Sequence, residues 1–281
     1  MIDVTYGVLN YNPNSNADAT KAYIAAVETL ANNRSVYLSS EVYLIDQGSQ
    51  PDLTQALALT HGFKAVLLRE NAGISRGINM LANMARGQFV SLVTSDVTFT
   101  PGLDDTLVSA LRADKTIYQI CPVSDNGSLD HQRYDRARED GIQVENLVQE
   151  LTIQFWPRQV FENIGYFDER WKACYENMDF ALRCFLAGGR VIVDQRAFCH
   201  HVHNMCTKSG AINHTYDGYL VMPNGFDHDP IRLMWNNKWP DLARYLDHYA
   251  TFTKDMSQTR EAMFYAYSKN VYLPYVQEVG Y

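Results

Sequence analysis

Between residues 4 and 96, strand-length apolar runs alternate with helical stretches, and each run ends on a polar residue. Residues 4–9 alternate in polarity and stop at the turn-rich cluster Asn10-Tyr11-Asn12-Pro13-Asn14. Residues 17–30 are Ala-rich and apolar at helical spacing, with Asp18 near their start. A strand over 35–45 runs into Asp46-Gln47-Gly48-Ser49, and a helix over 53–61 is closed by Gly62. The short strand 63–68 leads to Glu70-Asn71-Ala72-Gly73, and a helix over 74–85 is stopped by Gly87. The compact run 89–93 then enters Thr94-Ser95-Asp96. Repeated strand–helix alternation with short connections predicts a largely parallel sheet with helices on both faces. Ligands of such sheets bind beyond the carboxyl ends of the strands, where Asn12, Asp46, Asn71 and Asp96 all fall.

Further along, residues 103–150 contain a helix and a polar, charged stretch with no clear period. A strand is predicted over 151–155, and a short helix over 157–164 leads to Gly165-Tyr166-Phe167-Asp168. Residues 178–187 read as a helix ended by Gly188-Gly189, and 190–193 as a strand. The tail is rich in Tyr, Trp, Phe and Asn, too aromatic for a disordered segment. The expected organisation is a main domain over 1–204 and an extension over 205–281 packed on it, with Trp235 and Trp239 read either as core or as ring contacts for a ligand.

Composition narrows the function. The net charge is −8 and no Lys/Arg run exceeds two residues, so the basic footprint of a nucleic-acid binder is missing. No stretch approaches the roughly 18–20 continuous apolar residues that cross a bilayer. The first residues read as a strand rather than a signal peptide, which makes a cytoplasmic location the expectation. Five scattered cysteines without a CxxC read as reduced, small buried hydrophobes.

Three places carry chemistry. Asp96 closes a hydrophobic strand, where a lone carboxylate is costly unless it is paired or binds a cation; it also reads as a simple turn residue. In Cys199-His200-His201-Val202-His203, an extended backbone puts His201 and His203 on one side, and imidazole is a common metal ligand. On a helix, Glu176, Asp179 and Arg183 lie on neighbouring turns, either as a salt-bridge row or as carboxylates at the mouth of a site walled by Trp171 and Tyr175.

Taken in order, these segments resemble the GT-A glycosyltransferases, family 2 above all, over residues 4–204. Leu9-Asn10-Tyr11-Asn12 is similar to that family's first-strand motif, and Ile45-Asp46-Gln47-Gly48-Ser49 to the segment whose aspartate recognises the nucleotide base. The stretch from Asn71 through Ser75, Arg76 and Asn79 to Ala85-Arg86-Gly87 resembles the helix and turn before the DxD strand, with Arg76 as a nucleotide or diphosphate contact. Thr94-Ser95-Asp96 sits where the family places its DxD metal motif. Gly165-Tyr166-Phe167-Asp168-Glu169 followed by Glu176-Asn177-Met178-Asp179 resembles the acceptor-side acidic segment, and His201 falls where many relatives place a metal-binding histidine.

The resemblance implies a GT-A (Rossmann-like) α/β fold with a mixed, mostly parallel sheet. It also implies a donor site of Asn10, Asn12, Asp46, Asn71, Arg76, Asn79, Ser95 and Asp96. The cation, Mn²⁺ or Mg²⁺, would be held by Asp96, His201 and His203, and the catalytic residues would be Glu176, Asn177 and Asp179. The sequence departs from the pattern twice. Thr94 replaces the first DxD aspartate. Asn177 replaces the aspartate that serves inverting enzymes as general base; either Glu176 takes the proton instead, or Glu176-Asn177 is similar to the retaining polypeptide N-acetylgalactosaminyltransferases, which need no such base.

The expected activity is metal-dependent transfer of a sugar from a nucleotide diphosphate sugar, UDP-sugar by default, to a hydroxyl acceptor: a glycan, lipid, small molecule or modified DNA. The alternatives are a viral-type glycosyltransferase acting on hydroxymethylated DNA bases and a catalytically silent nucleotide-sugar-binding protein. Stereochemistry, retaining or inverting, stays open.

Overall fold

The computed structural model describes residues 2–49, 53–126, 132–135, 143–145, 149–171, 176–202 and Lys238. Its elements run β1 (Val4–Asn10), α1 (Ala17–Asn33), β2 (Ser40–Asp46), α2 (Thr54–His61), β3 (Lys64–Leu67), α3 (Ile74–Met84), β4 (Phe89–Thr94) and β5 (Val97–Phe99). They continue with α4 (Leu103–Ala113), β6 (Ile117–Ser124), β7 (Gln143–Glu145), β8 (Ile153–Pro157), α5 (Arg158–Ile164), α6 (Glu176–Leu186) and β9 (Arg190–His201). The proposed division at 204/205 and the residues Tyr175, His203, Trp235 and Trp239 lie outside the described residues.

The strands form one sheet in the order β3-β2-β1-β4-β8-β6-β9-β5, with β7 added beside β9. The half built from β3, β2, β1 and β4 is parallel, as the strand–helix alternation requires. Beyond β4 the pairing is mixed: β8 lies antiparallel to β4 and β6, β9 returns parallel to β6, and β5 and β7 pair antiparallel with β9.

Apolar residues on the two faces of the sheet collect into two cores. Val4, Tyr6 and Val8 of β1 pack with Tyr23, Val27 and Leu30 of α1, Ala58 of α2 and Leu103, Leu107 and Leu111 of α4. Leu9, Ile45, Val90 and Leu92 face the other way, against α3, α5 and α6. In that second core Trp156, Phe161, Phe167 and Phe180 make edge-to-face and tilted contacts, and Phe167 stacks on Phe180 at 4.2 Å between centroids. Trp171, expected as a wall of a sugar site, is buried in this core as well. At Gly77 a Cβ would come within 2.5 Å of Leu9 Cδ2, so the missing side chain lets α3 lie directly on β1.

Several boundaries differ from the sequence reading. The cap of α1 is Asn16, whose Oδ1 accepts from the Asp18 and Ala19 amides, and Asp18 lies in the first turn. Residues 35–39 are not strand, and β6 and β7 lie in the stretch that had no period. β9 does not stop at Val193 but continues to His201, past a register irregularity against β6 between Pro122 and Val123. Among the described residues, no helix is long and apolar enough to cross a membrane, and Cys121, Cys184 and Cys199 are free and buried.

Candidate active site

The carboxyl ends of β1 and β2 are joined by a buried polar network. Asn10 Nδ2 donates to Asp46 Oδ2 (2.8 Å) and to Ser49 Oγ (3.0 Å). The Ser49 amide donates to Asp46 Oδ1 (2.7 Å) and the Thr54 hydroxyl to Asp46 Oδ2 (2.8 Å). Gly48, at φ 85°, supplies the left-handed turn that brings Ser49 back over Asp46. A carboxylate has about four acceptor sites, so three internal bonds fix Asp46 without saturating it. Asn12 is occupied otherwise: its Oδ1 accepts from the Asn16 amide and its Nδ2 donates to the Asn16 carbonyl and Thr20 Oγ1, each at 3.0 Å. Its side chain shapes the approach to α1 instead of facing outward.

The start of α3 is reached through Asn71, whose Oδ1 accepts from the Gly73 amide, while Gln47 Oε1 accepts from the Ala72 amide. Arg76 follows in the first turn of α3 and is exposed. Asn79 does not share that surface. It is buried and forms a closed pair with Phe167, accepting from its amide (2.8 Å) and donating to its carbonyl (2.9 Å). The amide that the resemblance placed on the donor thus holds the 165–171 segment against α3.

At the end of β4, Asp96 meets His201. Strand β5 pairs antiparallel with β9 in the register Val97↔His201, and the Val202 amide donates to the Asp96 carbonyl (2.8 Å). This brings Asp96 Oδ2 within 3.6 Å of His201 Nε2, with both side chains about nine-tenths buried. Burial disfavours the charged imidazole, but the nearby carboxylates of Asp96, Glu150 and Asp125 outweigh it and raise the His201 pKa. Thr94, where the resemblance expects the first DxD aspartate, donates its hydroxyl to the Thr152 carbonyl (3.1 Å). Ser95 occupies the turn between β4 and β5.

His200 points to the opposite side, as strand alternation requires. Its Nδ1 lies 2.8 Å from Asp125 Oδ2, and Asp125 Oδ1 accepts from the His201 amide at 3.0 Å. Asp125 thereby anchors the end of β9. Sequence reading missed it, and missed Glu150, because neither lies near a recognisable motif. Among the described residues no cluster of three or more His, Cys, Asp or Glu stands ready to hold a metal. The oxygen and imidazole donors of Asp96 and His201 nevertheless suit a divalent cation that takes its other ligands from diphosphate and water.

The third part is the first turn of α6. Glu176 is buried, and its Oε2 has no hydrogen-bond partner among the described residues. Burial pushes its carboxyl up to about 7, only partly offset by a backbone hydrogen bond. Its neighbour Asn177 is committed internally: Nδ2 donates to the Gln149 carbonyl (2.7 Å), and Oδ1 accepts from Gln119 Nε2 (3.0 Å). Gln119 also donates to Gln149 Oε1 and accepts from Trp156 Nε1. Asp179, fully buried, is ion-paired to Arg183 (3.1 Å) and Lys238 (2.6 Å). Of the three acids and amides expected to be catalytic, only Glu176 is left uncommitted. The 149–152 segment links the regions, since it bonds both Asn177 and Thr94.

A parallel half-sheet with polar residues at its carboxyl ends, extended by a mixed half that returns a histidine to the last of them, is the architecture of the GT-A fold. Residues 19–196 match the model of glycosyl transferase family 2, and the chain belongs to that family. No curated protein sequence matches significantly. Among solved structures, GalNAc-T7 with UDP, GalNAc and Mn²⁺ is similar at a TM-score of 0.62 and 14% identity, over 100% of this chain and 56% of that one. The mannosyltransferase PcManGT from Pyrobaculum calidifontis, in complex with GDP-Man and Mn²⁺, is similar at 0.58 and 17%, over 96% and 76%. Residues 1–349 of TarS from S. aureus follow at 0.57 and 17%, over 72% and 61%. The chain therefore spans only part of the length of TarS and GalNAc-T7, between 36% and 61%.

Proposed function

We propose that this chain transfers a glycosyl unit from a nucleoside diphosphate sugar to a hydroxyl acceptor, with a divalent cation held by Asp96 and His201. The observation that carries this reading is the approach of Asp96 and His201 to 3.6 Å at the carboxyl end of the sheet. A bound Mn²⁺ or Mg²⁺ would neutralise charge on the leaving diphosphate. UDP is the default nucleotide; the relatives solved with UDP and with GDP-Man make both worth testing. Asp46, with acceptor capacity left, suits the base, and exposed Arg76 suits the diphosphate.

Glu176 fits the role of proton acceptor. As the acceptor oxygen bonds to the anomeric carbon, the bond from that carbon to the diphosphate breaks. The hydroxyl proton then passes to the Glu176 carboxylate. An acid with a pKa near 7 is half ionised at neutral pH and basic enough to take that proton. The commitment of Asn177 to Gln119 and Gln149 leaves it a supporting part.

The test is donor hydrolysis and transfer with Mn²⁺ across a panel of UDP- and GDP-sugars. Wild type should release nucleoside diphosphate, and Asp96→Ala should lower turnover about 100-fold or more, the loss of roughly 3 kcal/mol of transition-state stabilisation. Near-normal turnover in Asp96→Ala would remove it from the site. Tight nucleotide binding without turnover of any donor would favour a silent sugar-nucleotide binder, a reading consistent with Thr94 being tied to Thr152.

A further inference from the structure

Lys238 lies far along the chain from α6, yet its ammonium is buried against it. The side chain is 6% exposed, and Nζ is 2.6 Å from both Asp168 Oδ2 and Asp179 Oδ1. It also lies 5.8 Å from the centroid of the Trp171 ring. A desolvated ammonium is costly unless its geometry satisfies it. Here it bridges carboxylates from two separate pieces of chain, the 165–171 segment and α6. Asp168 takes a second cation from Arg170 (2.7 Å), and Asp179 one from Arg183 (3.1 Å).

Glu176 stands on the same helix, three residues before Asp179, one turn away. The grip on Asp179 fixes the height of that turn, and the grip on Asp168 fixes the segment that leads into it. Asn177 holds the same turn from the other side, through Gln149 and Gln119. We propose that Lys238 is a positioning residue, which clamps Asp168 to Asp179 and so holds Glu176 at the reacting hydroxyl. The proposal rests on Glu176 as proton acceptor. It makes Lys238, a residue outside the matched family region, a support of the reacting group.

The test uses the full chain as wild type, Lys238→Met and the double variant Lys238→Met/Asp168→Asn, in which the Asp168 carboxylate that lost the lysine is neutralised as well. Hydrogen exchange at amides 176–180 is measured beside kcat and KM for donor turnover. In both variants these amides should exchange about tenfold faster, with protection across β1–β4 unchanged. Turnover should fall about tenfold or more in kcat, with KM for the donor changed less than about twofold. The double variant should regain melting temperature without regaining kcat, which a merely stabilising lysine would not show. Wild-type exchange and wild-type kcat in the double variant would overturn the proposal. A wild-type chain without turnover would sink the glycosyl-transfer reading instead, and the exchange data alone would still decide whether Lys238 positions α6.

Discussion

Glu176 shows how a single buried carboxyl links stability to chemistry. Its ordinary pKa of 4.5 rises to about 7 in the fold because burial disfavours the charge. The sign follows from linkage: the folded state prefers the protonated acid, so a penalty builds as pH climbs from about 4.5 through 7. Glu176→Gln should therefore stabilise the protein at pH 8 by about 1–3 kcal/mol and hardly at all at pH 4, as read by urea unfolding at the two values. The same variant should lower kcat about 100-fold or more with little change in nucleotide affinity, and abolish any rise of kcat with pH near 7. Equal losses in kcat and in binding would count against a chemical role. The sequence offered Glu176, Asp179 and Arg183 as a possible salt-bridge row. Only Asp179 and Arg183 form that pair, and the difference comes from depth, which spacing does not reveal.

At the scale of elements, the contacts that frame the site come from amides. Asn79 on α3 pairs with both backbone groups of Phe167, and Asn177 on α6 does comparable work with Gln119 and Gln149. Asn79→Ala would strand the buried Phe167 amide and carbonyl, at a cost of about 2–3 kcal/mol by chemical denaturation. It should also loosen the 165–171 segment ahead of global unfolding, visible as faster exchange at Phe167. An unchanged midpoint would show that another partner replaces it. Strand β6 escaped sequence reading, and β9 was read only over 190–193, each for an identifiable reason. β6 carries Pro122, which argues against a central strand, yet the proline sits at a register irregularity. β9 contains Asp194-Gln195-Arg196, which reads as a loop, but Asp194 is buried beneath Arg196 and Gln143.

Across the whole molecule, Glu41 ties the far end of the sheet together. It accepts from Thr5 of β1 (2.9 Å), Lys64 of β3 (2.7 Å) and the Arg86 guanidinium (2.6 Å). Burial alone would raise its pKa, but these donors outweigh it and hold the carboxyl at about 2. A depressed acid contributes stability that is complete above about 4.5 and is lost as pH falls through about 2. Glu41→Gln should thus cost about 2–3 kcal/mol at pH 7, an upper figure because Lys64 is half exposed and Arg86 mostly exposed, so that both are screened. The gap from wild type should close by about pH 2, and a gap independent of pH would refute the linkage. The alternation of apolar strands with helices, set by local periodicity, was enough to determine the parallel half of the sheet and its polar carboxyl ends. The order of motifs along the chain, read as a resemblance, pointed to the family that residues 19–196 match. Only the tertiary structure decided which polar residues are spent internally, because burial and partner choice depend on strands distant in sequence. That is why the side chains of Asn12, Asn79, Asn177 and Asp179 are engaged by other parts of the chain, while Asp96 and His201 meet at 3.6 Å and Glu176 Oε2 is buried with no hydrogen-bond partner among the described residues.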